Sequence, residues 1–456
     1  MKFEALLHQY RDVYYNFPQP LKIFLGSLYG NIPLSLRFGK HYKTHQSIIE
    51  KFENSNEQYK LDYMYNKTLE TLLFAEMHIP YYKALFNQYG ISSTDFKSLD
   101  DIKIFPELTK TEIKTHLTSL YSQINERAVP YYSGGSLSVP TKFFLPLSTR
   151  SKEKAYNNYI FEKIGYMHRD KALYLKGRDV TNLAKNIFWD YEPIDNYFVL
   201  SSNYLTSDKF PLMYKKTEEF NPKYIVGYPS AVINFIQQAK RNNVKRLNIK
   251  GIILTSETVY PHEYEIMQDY YDVDILIHYG HTERNAIAYK INQDNYSFLN
   301  SYGLVRAKDS ELITTTFDNF VMPFINYRSG DKIEESISFF STTDIVKSTN
   351  NIAGRTQDYL VTKDRRLISI TTMYYNRDRL FEKATAIQYI QQEIGKVKLL
   401  IESDCLAIDE VQEKIRKNSV YQDLEVDVII VKSIEKSSRG KRIICKQALD
   451  INQFRL

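Results

Sequence analysis

Five short segments carry residue types that can bind and polarise phosphate. The first is Ser133-Gly-Gly-Ser-Leu-Ser-Val-Pro-Thr-Lys142. Small and hydroxylated residues let backbone amides approach an anion closely, and the lysine that follows can balance phosphate charge. The same composition also makes an ordinary surface loop. The second, Tyr279-Gly-His-Thr-Glu283, follows an apolar run, Asp274–Ile277, that reads as a buried strand. Glycine permits a tight turn beyond the strand end, the aromatic can cover a nucleobase, and Glu283 can hold Mg2+ through oxygen ligands. A polar helix start capped by Thr282 fits the segment equally well. The third, Tyr327-Arg-Ser-Gly-Asp331, follows Val321-Met-Pro-Phe. A carboxylate after a glycine turn accepts from ribose hydroxyls, and a turn that merely pairs its own aspartate is as good a reading. The fourth, Gly354-Arg-Thr-Gln-Asp358, stands where the sequence texture changes, and the fifth, Lys436 to Arg442, places Lys441 on a basic loop. A solvated charge run is the ordinary explanation of that loop.

Elements must hold such loops in place. Residues 1–100 read as mainly helical, with Leu69, Leu72, Leu73 and Met77 at helical spacing before Pro80. Ala172–Leu175, Tyr224–Val226, Gly251–Leu254 and Asp274–Ile277 read as buried strands, with Pro229–Arg241 and Pro261–Tyr271 as helices between them. This alternation predicts an α/β fold whose mostly parallel sheets are flanked by helices, with ligands beyond the carboxyl ends of the strands. After about residue 353, strands at Ile387–Ile390, Val397–Ile401 and Val426–Val431, with a helix at Asp409–Lys417 and a basic loop that leads into Ile443–Lys446, predict a small α+β unit. The expected domains are a large one, 1–353, and a small one, 354–456.

Composition narrows the class. The 456 residues are 43% hydrophobic and 25% charged, as in ordinary globular proteins. A net charge of +6 spread along the chain suits an anionic substrate such as ATP and supplies no basic stripe for nucleic acid. Cys405 and Cys445 are the two cysteines, so neither a zinc cluster nor a disulfide framework is expected, which fits a reducing, cytoplasmic setting. The first dozen residues are too polar for a signal-peptide core. Leu21 to Leu36 is apolar but broken by Gly26, Gly30 and Pro33, so a transmembrane span is not expected. A helix and loop packed on the main domain is the reading for it, with an interfacial segment on a membrane surface as the alternative.

Taken in order, the five segments resemble the signature loops of the adenylate-forming superfamily, which includes acyl-CoA synthetases and luciferases. The chain is more similar to phenylacetate–CoA ligase-like proteins, especially the branch associated with capsular polysaccharide biosynthesis. His78-Ile-Pro-Tyr-Tyr-Lys83, Phe105-Pro-Glu-Leu-Thr-Lys110, Gly227-Tyr-Pro-Ser230 and Thr255-Ser-Glu257 carry that closer likeness, which runs from about residue 10 to the end. The resemblance implies residue roles. Ser133, Gly135, Ser136 and Lys142 would belong to the phosphate loop, and Ser256, Glu257, Tyr279 and Gly280 would line the adenine pocket. Thr282 would meet the α-phosphate, Glu283 the Mg2+, and Asp331 the ribose, with Arg355 nearby. Gln357 and Asp358 would form the hinge, Lys441 would serve adenylation, and Tyr228 and Pro229 would face the carboxylate.

The implied reaction turns a carboxylate into an acyl-adenylate and pyrophosphate, then passes the acyl group to an acceptor. Coenzyme A is the default acceptor; a carrier-protein thiol or an amine are the alternatives for the polysaccharide branch. Two departures stand out. Leu137 and Ser138 replace a hydroxyl residue and a glycine of the usual phosphate loop, and Gln357 displaces the usual hinge aspartate. They leave a competing reading, a catalytically weak or inactive nucleotide-binding scaffold in polysaccharide assembly. A glycosyltransferase is disfavoured, since Asp364 and Asp378 make no DxD-type site.

Overall fold

The computed structural model describes residues 17–122, 128–132, 141–176, 187–201, 205, 209–259, 261–334, 337–355, 359–363, 365, 367–369, 384, 386–417, 421, 423–435 and 443–454. The chain divides into two compact units. One comprises Met1–Asp170, Glu192–Asn196 and Leu276–Ile352; the other comprises Lys171–Tyr191, Tyr197–Ile275 and Ala353–Leu456.

The first unit begins with helices Gln19–Asn31, Leu34–Arg37, Gly39–Glu53, Glu57–His78 and Pro80–Tyr89. The long helix ends at His78 and the next starts with Pro80, whose fixed φ and missing N–H suit a first helical position. The buried stripe of Glu57–His78 runs through Met64, Thr68, Thr71, Leu72 and Ala75, whereas the expected Leu73 and Met77 are exposed. Burial of the threonines is satisfied locally. Thr68 Oγ1 donates to the Met64 carbonyl at 2.7 Å and Thr71 Oγ1 to that of Lys67 at 2.9 Å.

Two antiparallel arrangements follow in this unit. Gly303–Lys308, Glu311–Thr316 and Tyr327–Glu334 pair in succession. The first two join through Asp309 and Ser310, both at positive φ, as a tight hairpin with matching twist requires. Residues 276–280, the end of strand Asp274–Gly280, pair with Ile287–Ile291, which pairs with Tyr296–Phe298 and that in turn with Val346–Thr349. An aromatic-rich core that includes Tyr82, Phe86, Phe105, Phe143, Phe324 and Tyr327 fills the unit.

In the second unit, Ala172–Lys176 pairs in parallel with Tyr197–Ser201 and Tyr224–Gly227, and the latter with Gly251–Thr255. Tyr224–Gly227 is buried at every position, as expected of a parallel strand covered on both faces. Helices Phe210–Phe220 and Pro229–Arg241 pack on these strands, and Pro261–Tyr271 packs on Pro229–Arg241. The C-terminal region has a separate sheet. Ala386–Glu393 and Lys396–Glu402 are antiparallel, Glu425–Val431 runs parallel to the second, and Cys445–Gln447 runs parallel to the first. Val411 and Ile415 of helix Ile408–Lys417 close a core with Ile387, Leu399 and Ile401. The α/β class is as expected from the sequence, and both interstrand helices have the expected bounds.

Candidate active site

Strand Asp274–Gly280 runs on past the expected Ile277, so Tyr279 and Gly280 are strand residues and not a loop. Gly280 is outside the positive-φ glycines, which corrects the expectation of a tight turn there. Nor does Thr282 cap a helix: a short turn follows and strand Ile287–Ile291 comes next. Asp331 is likewise on a strand, Tyr327–Glu334, where a turn was expected. Ser-Gly-Asp imitates turn chemistry because this strand is bulged: its register with the neighbouring strand shifts between Glu311 and Ile313, and Gly330 has φ +81°. The Gly330 N–H donates to Glu311 Oε1 at 3.0 Å, which ties the bulge to its neighbour.

On such a strand alternate side chains share a face. Tyr327, Ser329 and Asp331 are accordingly all buried, and two of them meet the 279–283 segment. The Tyr279 hydroxyl donates to Asp331 Oδ2 at 2.8 Å and also meets His281 Nε2. His281 Nε2 lies 3.0 Å from the same carboxylate oxygen, while its Nδ1 is buried and makes no hydrogen bond. One step away, the Tyr327 hydroxyl donates to Glu283 Oε1 at 3.0 Å. Two buried carboxylates, an oriented tyrosine ring and an imidazole are thus brought together. A carboxylate that gathers a hydroxyl and a ring nitrogen is held in a fixed orientation, as needed to accept from sugar hydroxyls or to face a cation. Reading the sequence missed His281 and Tyr327, although both stand within the segments singled out. The signal was the even spacing, two residues from Tyr279 to His281 and four from Tyr327 to Asp331.

The turn after Gly280 is held from several sides. Arg284, at positive φ, forms an ion pair with Glu153, whose Oε2 also accepts from the Tyr302 hydroxyl at 2.7 Å. Burial opposes the Arg284 charge, but Glu153 more than offsets it and raises the pKa. Asn285 Nδ2 donates to Thr314 Oγ1 at 3.3 Å. A Cβ on Gly303 would lie 2.2 Å from the Asn285 carbonyl oxygen, so only glycine admits this loop.

Two of the four segments that carried the closer likeness, 78–83 and 105–110, brace strand Tyr327–Glu334 and the residues leading into it. Tyr82 Oη donates to the Pro323 carbonyl at 3.0 Å and accepts from the Ile325 N–H at 3.1 Å. Leu108 N–H donates to the Asn326 carbonyl at 3.1 Å, and Arg328 N–H to the Leu108 carbonyl at 3.0 Å. Asn326 Nδ2 reaches the carbonyls of Ile102 and Phe105 at 2.7 and 2.8 Å. Thr109 and Glu112 then close a capping box at the start of helix Lys110–Thr115.

Further expected residues belong to the second unit. Tyr228 and Pro229 follow strand Tyr224–Gly227, and Thr255, Ser256 and Glu257 end or follow strand Gly251–Thr255. Because Gly227 pairs with Leu254, both segments emerge at the carboxyl ends of adjacent parallel strands, where such sheets bind ligands. Gly227 is needed there: a Cβ would lie 2.8 Å from the Leu175 carbonyl oxygen. Ser256 has φ +71°, a costly conformation for a serine and one that clusters at functional sites.

Lys142, in the first unit, is the exposed first residue of strand Lys142–Pro146, with its ammonium 5.2 Å from the Phe144 ring centre. Arg355 ends strand Asn351–Arg355. Ser133, Gly135, Ser136, Leu137, Ser138, Gln357, Asp358 and Lys441 lie outside the described residues. Among the described residues no group of three His, Cys, Asp or Glu side chains is placed to hold a metal alone, and no helix is long and apolar enough to cross a membrane. A lone carboxylate such as Glu283 suits Mg2+, which takes one or two protein carboxylates together with substrate phosphates.

No family profile matches the chain. It is 20% identical over 398 residues, 84% of each chain, to Protein CapK of Staphylococcus aureus. It superposes on 2-hydroxyisobutyryl-CoA ligase in the postadenylation state, in complex with 2-HIB-AMP, with a TM-score of 0.63 at 12% identity, covering 84% of this chain and 89% of that one. The same ligase in its thioesterification state, with 2-HIB-AMP and CoA, gives 0.54 at 14% identity over 86% and 90%. Segment order, the side-chain contact between Tyr279 and Asp331, and these superpositions agree: the chain has the fold of the adenylate-forming CoA ligases.

Proposed function

We propose that the chain is an adenylate-forming ligase of the phenylacetate–CoA ligase-like kind. It joins a carboxylate to the α-phosphate of ATP, releases pyrophosphate, and passes the acyl group to coenzyme A or another thiol or amine. The observation that carries this reading is the buried cluster of Tyr279, His281 and Asp331 beside the Tyr327–Glu283 pair. Asp331 accepts from the ribose hydroxyls and the Tyr279 ring borders the adenine. Ser256, Glu257 and Gly280 are assigned to the same adenine, Thr282 to the α-phosphate, and Tyr228 and Pro229 to the carboxylate. Ser133, Gly135, Ser136 and Lys142 are assigned to the outer phosphates and Arg355 to the ribose side. Glu283 would hold Mg2+, which neutralises phosphate charge.

A carboxylate is a poor acyl donor because its leaving group would be oxide. Attack of its oxygen on the α-phosphorus forms a mixed anhydride whose leaving group is AMP. Catalysis then consists of holding two anions in line and opposing charge at phosphorus. Lys441 is assigned that second task, on a lid domain, 354–456, that serves this half-reaction alone. The name CapK and the CoA bound by the hydroxyisobutyryl ligase support a place in surface polysaccharide synthesis and CoA as acceptor.

The test is pyrophosphate release with ATP and Mg2+ across aryl, fatty, hydroxy and amino acids. At least one acid is expected to drive release, and Lys441→Ala to abolish it while sparing transfer from a preformed acyl-adenylate. ATP binding with no carboxylate-dependent release would favour the scaffold reading, and equal loss of both half-reactions would remove Lys441 from its assigned role.

A further inference from the structure

Helix Gln19–Asn31 is packed inside out. Its buried residues are Lys22, Gly26 and Gly30, while Leu21, Phe24, Leu25 and Leu28 are exposed, Phe24 at 62% and Leu28 at 56%. At 100° per residue those four fall within one arc of about 100°, the arc that a helix of a globular protein turns inward. Packing fixes the orientation. A Cβ on Gly30 would lie 2.6 Å from the Ile194 carbonyl oxygen and closer still to the Arg169 guanidinium, so this glycine face admits no larger side chain. Arg169 is itself anchored, donating to the carbonyls of Pro193 and Ile194 at 2.7 and 2.8 Å. The apolar ridge continues beyond the helix. Leu36 is 68% exposed, and it precedes Arg37, whose guanidinium lies over the Tyr29 ring at 4.2 Å and so ties the two helices together. An exposed ridge of this size marks a contact surface.

Charge decides what it contacts. Between Asp12 and Glu50 the sequence contains no aspartate or glutamate, whereas Lys22, Arg37, Lys40 and Lys43 fall inside that interval. Lys40 and Lys43 are exposed on the helix that follows Leu36. An apolar ridge whose own segment carries basic residues and no acidic ones, with Glu192 and Asp195 on the neighbouring segment that packs against Gly30, complements a negative, apolar-cored surface. We propose that Leu21, Phe24, Leu25, Leu28 and Leu36, with Lys40 and Lys43, dock this protein on an anionic lipid bilayer. Leucine and phenylalanine enter the acyl boundary and the lysines meet the headgroups. The proposal stands independently of the ligase reading, since none of these residues belongs to the site.

Cosedimentation of the full chain with phosphatidylglycerol and with phosphatidylcholine vesicles tests it. The wild type is expected to pellet with phosphatidylglycerol and to be released by salt. Each large apolar side chain removed weakens partitioning about tenfold or more. Phe24→Ser/Leu28→Ser should therefore bind roughly 100-fold more weakly, with an unchanged thermal midpoint because both positions are exposed. Lys40→Gln/Lys43→Gln should weaken binding to phosphatidylglycerol and flatten its salt dependence. No pelleting of the wild type, equal pelleting on both lipids, or wild-type binding by the Phe24/Leu28 variant would overturn the proposal. Self-association in light scattering that the same variant abolishes, without vesicle binding, would give the ridge to a second copy and overturn it as well.

Discussion

At the scale of single residues the account rests on Asp331, whose Oδ2 is shared by the Tyr279 hydroxyl and His281 Nε2. A hydrogen bond to a charged group is worth about 1.5–3 kcal/mol, or roughly 10- to 100-fold in a binding constant. Asp331→Asn keeps the shape and removes the charge. The expected result is a KM for ATP raised about 10- to 100-fold at little cost to the fold, read by pyrophosphate release and circular dichroism. Tyr279→Phe keeps the ring and removes one donor, so about tenfold is expected. Unchanged KM values in both variants would separate this cluster from the nucleotide. The carboxylates and the aromatic of these segments were legible in the sequence because their types match the chemistry. His281 was not, since a histidine becomes informative only once the fold brings it, just past the strand's end, to the Asp331 carboxylate.

Elements decide where those side chains point. Gly330 at φ +81° makes the bulge that aims Asp331, and a left-handed conformation costs an L-residue roughly 1–2 kcal/mol. Gly330→Ala is expected to lose about that much in a denaturant titration and also to raise the KM for ATP, because the strain is relieved by re-aiming its neighbour. Tyr82→Phe gives the contrasting case. It strips the buried Ile325 N–H of its acceptor, for about 1–3 kcal/mol of stability, and leaves the KM for ATP near wild type. A KM change in Tyr82→Phe as large as in Gly330→Ala would contradict this division. The same elements show why part of the fold could be read in advance. Runs such as Tyr224–Gly227 are apolar throughout because both faces are covered, and the helix Pro229–Arg241 announces its start with a proline. The antiparallel strands from Gly303 to Glu334 are harder to see. Their buried positions include Thr314, Thr315, Thr316, Ser329 and Asp331, polar residues whose burial depends on partners far along the chain. Segments 78–83 and 105–110 were noticed for their likeness; their bracing of Tyr327–Glu334 is a tertiary fact with no local signature.

At the scale of the whole molecule, stability should respond to acid through His45. Burial, followed by the charge of Lys152, holds its pKa down at about 3, and its Nδ1 makes no hydrogen bond. Above pH 6.5 neither the folded nor the unfolded chain binds this proton. Below it the unfolded chain does and the folded chain does not, so stability falls as pH drops from about 6.5 toward 3. At pH 5 the loss is about 2 kcal/mol. His45→Phe should flatten the decline between pH 7 and pH 5 in denaturant titrations, and an unchanged slope would show that other groups set it. The central claim is chemical, however, and the fate of one oxygen atom tests it most directly. The protein would be given ATP, Mg2+, an acid that drives pyrophosphate release with both carboxylate oxygens labelled with oxygen-18, and an acceptor. If the carboxylate attacks the α-phosphorus, mass spectrometry will find one labelled oxygen in AMP and none in pyrophosphate. AMP formed without label, or label in a phosphate released with ADP, would contradict an acyl-adenylate.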